Sequence, residues 1–144
     1  DPNAAEIAVE LGPAGIVQDA FQRRARQTPP LRPDMRLDAL GNARALLHLI
    51  NFDEPFGLSV VEAMACGTPT IVSNVSSLPE VVGDAGIQVP PESVEGWADA
   101  IYSLLDDSAL RLVLRDKGLR RAATFSWEKA ARQHLEVYHR FRVK

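Results

Sequence analysis

Cysteine is almost absent from the sequence. Its 144 residues contain one, Cys66, so no internal disulfide can form, and a reducing, cytoplasmic setting is the expectation. Long apolar runs are missing too. Stretches such as Ala45-Leu46-Leu47 last a handful of residues, too short to span a bilayer. The first residues, from Asp1-Pro2-Asn3 onward, show neither a basic n-region nor an apolar h-region, so no secretory signal is expected. No internal repeat stands out, and no His/Cys/Asp cluster has metal-ligand spacing, so no metal site is expected. Cations are the scarcest group in the middle of the chain. Residues 37–108 hold only Arg44 against eleven Asp and Glu, a net −10.

What remains is an ordinary soluble composition, 46% hydrophobic and 24% charged, which excludes a disordered chain, a collagen-like chain and a disulfide scaffold. The length suits one domain. The overall charge of −3 hides the asymmetry: residues 1–36 sum to zero and residues 109–144 to +7. The basic last third reads most simply as a solvated helical surface. It could also dock on a missing domain, an acidic surface or, peripherally, an anionic membrane. Nucleic acid is not an expected partner, because the chain is mildly acidic and carries no recognition motif.

From Ala39 onward, short apolar runs alternate with amphipathic stretches, the pattern of βα units over a parallel sheet. Strands are expected at Ala45–Ile50, Thr70–Val72 and Gly86–Val89. A loop is expected from Asn51 to Gly57, a helix from Leu58 to Cys66 stopped by Gly67, and a capped helical turn from Ser76 to Val82. The last third reads as helical, with Trp97, Ile101, Leu104 and Leu105 in one stripe and Leu110, Val113 and Leu114 in the next. The final helix begins after Ser126 as N-cap. Its stripe of Trp127, Ala131, Leu135, Tyr138 and Phe141 reads as a core face. Before residue 37, Asn3–Leu11 reads as a helix and Gly15–Gln18 as a strand, and the prolines of Gln27–Asp34 read as a loop. The organisation expected is therefore a degenerate or truncated first part over 1–36 and an α/β domain over 37–144.

The chemistry concentrates between Asp53 and Pro69. This segment leaves a strand, crosses a tight loop and opens a helix, where parallel α/β sheets bind ligands. A helix N-terminus there offers free amides and a positive dipole end to a phosphate. Gly57 lets the backbone approach an anion closely. Glu54 and Glu62 bracket the position, and ionised carboxylates accept hydrogen bonds from vicinal hydroxyls of a sugar or ribose. Taken singly, Glu54 is a solvated loop carboxylate and Glu62 an exposed helix residue. His48 reads as a packed strand histidine rather than a ligand, and Cys66 as a small packing residue. Asp53 at a strand end invites a receiver-type phosphoacceptor reading. That reading fails because an early acidic pair and a late Lys-Pro are missing.

With its context of Phe56-Gly57, Glu62-Ala63-Met64-Ala65 and Gly67-Thr68-Pro69, Glu54-x7-Glu62 resembles the E-x7-E signature of retaining GT-B glycosyltransferases, glycosyltransferase family 4 in particular. The similarity covers about residues 39–142, including Ser77-Leu78-Pro79-Glu80-Val81-Val82 and Phe125-Ser126-Trp127-Glu128. The resemblance implies a Rossmann-like C-terminal domain, with a parallel sheet flanked by helices, that binds a nucleotide-diphosphate sugar. It implies no further cofactor. Glu54 would take hydroxyls of the donor sugar. The amides of Phe56, Gly57 and Leu58, with Ser59, would take the sugar and diphosphate, and Glu62 the ribose hydroxyls. A missing N-terminal domain would supply the site for an acceptor glycan or small molecule, and the last helix would cross back toward it.

One part of the family pattern is absent. No G-R-x4-K-G stretch supplies the cations that stabilise a departing diphosphate, often the largest catalytic contribution. Arg23, Arg24 and Arg26 lack its strand and glycine context. Two readings follow. The first is the donor-binding part of a retaining hexosyltransferase-like enzyme, inactive as an isolated chain. The second is a non-catalytic Rossmann-like binding module that has lost its phosphate-binding cations. Neither reading sets the oligomeric state, and a truncated sheet edge could pair with another chain.

Overall fold

The computed structural model describes residues 33–141. The helix at Asn3–Leu11, the strand at Gly15–Gln18, the prolines before Pro33 and the three arginines at 23, 24 and 26 lie outside the described residues. So does most of the 1–36 division.

Helix α1 runs from Pro33 to Asn42 and so begins inside the stretch expected to be a loop. Proline suits a first helical position, since its missing N–H would have no partner there and its φ is already helical. Strand β1 follows at Leu46–His48. Helix α2 spans Leu58–Ala65, β2 Thr70–Ser73, α3 Leu78–Val82 and β3 Ile87–Val89. Three longer helices complete the described chain: α4 (Val94–Asp106), α5 (Ser108–Ala122) and α6 (Trp127–Arg140). The sheet order is β1-β2-β3, all parallel. Leu46 pairs with Thr70, and Ile71 with Ile87. This is the Rossmann-like α/β class read from the alternation of runs.

Alternation along β2 divides the interior in two. Val72 enters a cluster with Val60, Met64, Leu78, Val81 and Val82, beneath α2 and α3. Ile71 enters another with Val89, Trp97, Ala100, Leu104 and Leu114, beneath α4 and α5. Ladder pairing of β1 stops at His48. Beyond it, the amide of Ile50 donates to the buried hydroxyl of Ser73 at 2.9 Å. Apolar Ala45 and Ile50 therefore flank the strand without belonging to it. Helix α2 ends at Ala65 with Cys66 as its C-cap, and Gly67 takes a positive φ of 77°, the expected glycine stop.

Two expectations are corrected. The α6 stripe is not a core face: Trp127 is 77% exposed, Phe141 78%, and no residue of α6 is buried. Periodicity identifies an amphipathic helix but not what covers its apolar side. The turn expected to be capped from Ser76 to Val82 starts at Leu78 after Ser77, yet the Ser77 hydroxyl caps no amide of that helix. It donates instead to the carbonyl of Glu54.

Candidate functional site

The loop leaving β1 carries the E-x7-E segment across the carboxyl end of the sheet. Two neighbouring hydroxyls hold it from the next loop. Ser76 Oγ and Ser77 Oγ each donate to the backbone carbonyl of Glu54 at 2.8 Å. Ser76 adopts a φ of 55°, a left-handed conformation uncommon for a residue with a Cβ. The paired hydrogen bonds hold the backbone of Glu54 against the loop after β2.

Gly57 caps α2 with φ 85° and ψ 49°. It is buried, and a Cβ there would lie 2.7 Å from Leu78 Cδ2, so both conformation and space require glycine. Its carbonyl accepts from the amides of Val60 and Val61, closing the first turn of the helix. Its own amide donates to Glu54 Oε1 at 3.2 Å. A carboxylate oxygen therefore already rests on an amide at the start of α2. The amides of Leu58 and Ser59 meet no acceptor among the described residues, as the first turn of a helix dictates.

The predicted site residues fall into two groups. Glu54, Gly57 and Ser59 gather at the end of β1, where Ser59 Oγ lies 3.3 Å from His48 Nδ1. Phe56, Leu58 and Glu62 instead line a groove of about 580 Å³, shared with Arg121, Phe125, Trp127 and Lys129. Phe56 packs edge-on against Phe125, with ring centroids 5.6 Å apart and planes at 84°. The Arg121 guanidinium lies 5.1 Å from the centre of the Phe125 ring. It also donates to the carbonyls of Val81 (3.0 Å) and Glu80, at the end of α3. Two cations, Arg121 and Lys129, thus share the groove with two carboxylates, Glu62 and Glu80. Both cations come from outside the acidic stretch 37–108.

Sequence reasoning missed Ser76, Ser77, Phe125, Arg121 and the contact between His48 and Ser59. The SLPEVV and FSWE motifs marked the neighbourhood of the first four, but not which atoms would meet. Among the described residues no cluster of His, Cys, Asp and Glu could hold a metal ion. No described helix is long and apolar enough to cross a membrane.

Comparison with known proteins gives this geometry a context. Residues 33–121 match the family profile described as glycosyl transferases group 1. The chain is 42% identical over 106 residues to O-antigen chain mannosyltransferase B of Escherichia coli, covering 74% of this chain and 28% of that protein. It is 38% identical over 135 residues to D-inositol 3-phosphate glycosyltransferase of Corynebacterium glutamicum, covering 92% of this chain and 30% of that protein. The chain therefore spans less than a third of the length of these curated relatives. Among solved structures, sucrose-phosphate synthase from Thermosynechococcus elongatus superposes with a TM-score of 0.70 at 30% identity, covering 88% of this chain and 33% of that one. Anabaena HepE in complex with UDP-glucose superposes with a TM-score of 0.72, covering 91% of this chain and 38% of that one. At 20% identity, that second likeness concerns the fold alone.

Proposed function

The chain belongs to the glycosyl transferases group 1 family, and from that premise we propose that residues 37–144 form the donor-binding domain of a glycosyltransferase, holding a nucleotide-diphosphate sugar at the carboxyl end of the sheet. Glu54 takes hydroxyls of the donor sugar. The amides of Phe56, Gly57 and Leu58, with Ser59, take the sugar and diphosphate, and Glu62 takes the ribose hydroxyls. Transfer proceeds with retention of anomeric configuration, in the manner of family 4. An N-terminal domain supplies the site for an acceptor glycan or small molecule, in a cytoplasmic enzyme that needs no further cofactor.

The observation that carries this reading is the Gly57 amide. It donates to a carboxylate oxygen at 3.2 Å, beside two further amides with no acceptor among the described residues. An arriving phosphate oxygen would replace the Glu54 carboxylate there, releasing Glu54 toward the sugar hydroxyls. The names of the relatives support the class of reaction, and the UDP-glucose bound to HepE supports the class of ligand. Because the chain spans under a third of its curated relatives, acceptor recognition belongs to the remaining length. The cations that offset the diphosphate come from outside residues 37–108, where Arg44 is the single basic residue.

That scarcity favours a second reading, a binding module without catalysis. Calorimetry on the whole chain with UDP, GDP and ADP in turn separates the two from each other and from no site at all. The donor reading expects one nucleotide to bind, and Glu62→Ala to weaken it about tenfold or more, the size of hydrogen bonds to a charged group. If none binds at millimolar concentration, the donor site is refuted. If one binds without glycosyl transfer or donor hydrolysis, the isolated chain is a donor module rather than an enzyme.

A further inference from the structure

His48 ends β1, whose side chains alternate between two environments. Leu46 and, beyond the strand, Ile50 pack on the cluster beneath α2, whereas Leu47 and Leu49 are exposed. His48 shares the parity of the packed pair and reaches the second residue of α2, its Nδ1 lying 3.3 Å from Ser59 Oγ. Its other ring nitrogen, Nε2, is buried and has no hydrogen-bond partner among the described residues.

These two facts select a tautomer. A neutral imidazole carries one N–H donor and one bare acceptor nitrogen. With the proton on Nε2, the ring would bury a donor that nothing accepts. Orphaned buried N–H groups are rarer than under-satisfied acceptors, and each forfeits its hydration without return. With the proton on Nδ1, the only donor of the neutral ring meets Ser59 Oγ, and the buried Nε2 is a bare lone pair. A serine hydroxyl has two acceptor lone pairs and a single rotatable proton. Once Ser59 accepts from His48, its own proton turns away from the ring. It then lies at the start of α2, where the amides of Leu58 and Ser59 are also without acceptors among the described residues.

We propose that His48 is a positioning residue of the donor site: its Nδ1–H donates to Ser59 Oγ and thereby commits the Ser59 hydroxyl to donate to a diphosphate oxygen. The inference rests on the donor-site reading above and extends it to a residue that touches no ligand. It also explains why a polar ring ends an otherwise apolar strand. A leucine at this position would fill the same space but leave the Ser59 proton unconstrained.

The test pairs a spectroscopic readout with a binding readout on the whole chain. Long-range 1H–15N spectra of the neutral ring are expected to show His48 protonated on Nδ1 and bare on Nε2. For binding, the probe is whichever of UDP, GDP and ADP binds the wild-type chain most tightly. Ser59→Ala and His48→Leu are each expected to weaken it about tenfold, the order of one hydrogen bond to a charged group. The double variant is expected to be no weaker than Ser59→Ala alone. His48→Asn, whose side-chain nitrogen can stand near the Nδ1 position, is expected to recover most of the loss. A ring protonated on Nε2 overturns the proposal, and so does His48→Leu binding as the wild type does while Ser59→Ala is weakened. In both cases the donor site itself stands. If no nucleotide binds the wild-type chain, the donor site fails and the positioning role fails with it. Should His48→Leu not fold, the wild-type spectrum and His48→Asn decide: Nδ1 protonation with near-wild-type binding supports the role, and Nε2 protonation refutes it.

Discussion

Gly57→Ala probes the site at the point where backbone conformation and packing coincide. The residue holds φ 85° as the cap of α2, a region that costs a residue with a Cβ about 1–2 kcal/mol. The added methyl would stand 2.7 Å from Leu78 Cδ2. On an exposed leucine that contact would be relieved by a rotamer change. Leu78, however, is fully buried among Val60, Val72 and Val82, and moving it disturbs the cluster beneath α2. Overpacking of this kind costs about 1–3 kcal/mol. The sum, about 2–5 kcal/mol, is a large share of the roughly 5–15 kcal/mol that holds a domain folded. Urea unfolding followed by the fluorescence of buried Trp97 should register it, at a slope of about 2 kcal/mol per molar, as a fall in midpoint of about 1–2.5 M, with the slope unchanged. Gly41→Ala is the internal control. It lies in α1, where an added Cβ would meet no heavy atom within 4 Å, and should be neutral or slightly stabilising. If Gly57→Ala unfolds at the wild-type midpoint, the left-handed cap and the tight contact with Leu78 are both wrong.

Three further outcomes rest on single contacts. Arg121→Met removes the donors to the Val81 and Glu80 carbonyls and the cation over Phe125, and should lower stability by about 1–3 kcal/mol in the same urea assay; an unchanged midpoint would show that the guanidinium contributes nothing there. Ser126→Ala removes the hydroxyl that accepts from the Lys129 amide and should weaken α6 by about 1 kcal/mol. The loss should appear as faster amide exchange in the first turn of α6 while the global midpoint holds, because no α6 residue is buried; a matching fall in the global midpoint would contradict that exposure. The Asp84 carboxyl lies below its ordinary pKa, first through its hydrogen bond to Lys117, 2.9 Å away, and then through the charge of that ammonium. A lowered folded-state value means the pair stabilises the fold above the ordinary aspartate pKa and loses that contribution as pH falls through the folded value. In an NMR titration, Lys117→Met should return Asp84 toward the ordinary value; an unmoved titration would refute the pairing.

The legible parts of the site were the local ones. Glu54, Gly57 and Glu62 lie within nine residues, and a glycine between a loop and an apolar helix reads as a backbone requirement wherever it occurs. The βα order was legible for the same reason, since strands of three or four residues separated by helices leave a period in the chain. Contacts between distant segments left no such trace. Phe56 meets Phe125 and Arg121 reaches Val81 only because α5 packs back onto α2, which brings its C-terminal end to the end of α3. The turn from Ser76 to Val82 looked capped because serine before a helical run commonly is a cap, but the hydroxyl of Ser77 goes instead to the carbonyl of Glu54, in a loop 23 residues earlier. His48 looked like packing because an apolar run surrounds it, and nothing in that run announces a hydroxyl 11 residues later.

By itself, the sequence determined the α/β class, the family signature and the scarcity of cations between residues 37 and 108, because composition, period and short spacing are properties of a linear chain. Tertiary structure alone decided that the α6 stripe faces outward, that the site residues divide between the β1 end and the aromatic groove, and that Ser59 is tied to His48. The physical reason is common to all three. Burial and hydrogen bonding depend on which surfaces and polar groups meet in space, and a periodic pattern states only that a face is apolar or a group polar, not what will satisfy it.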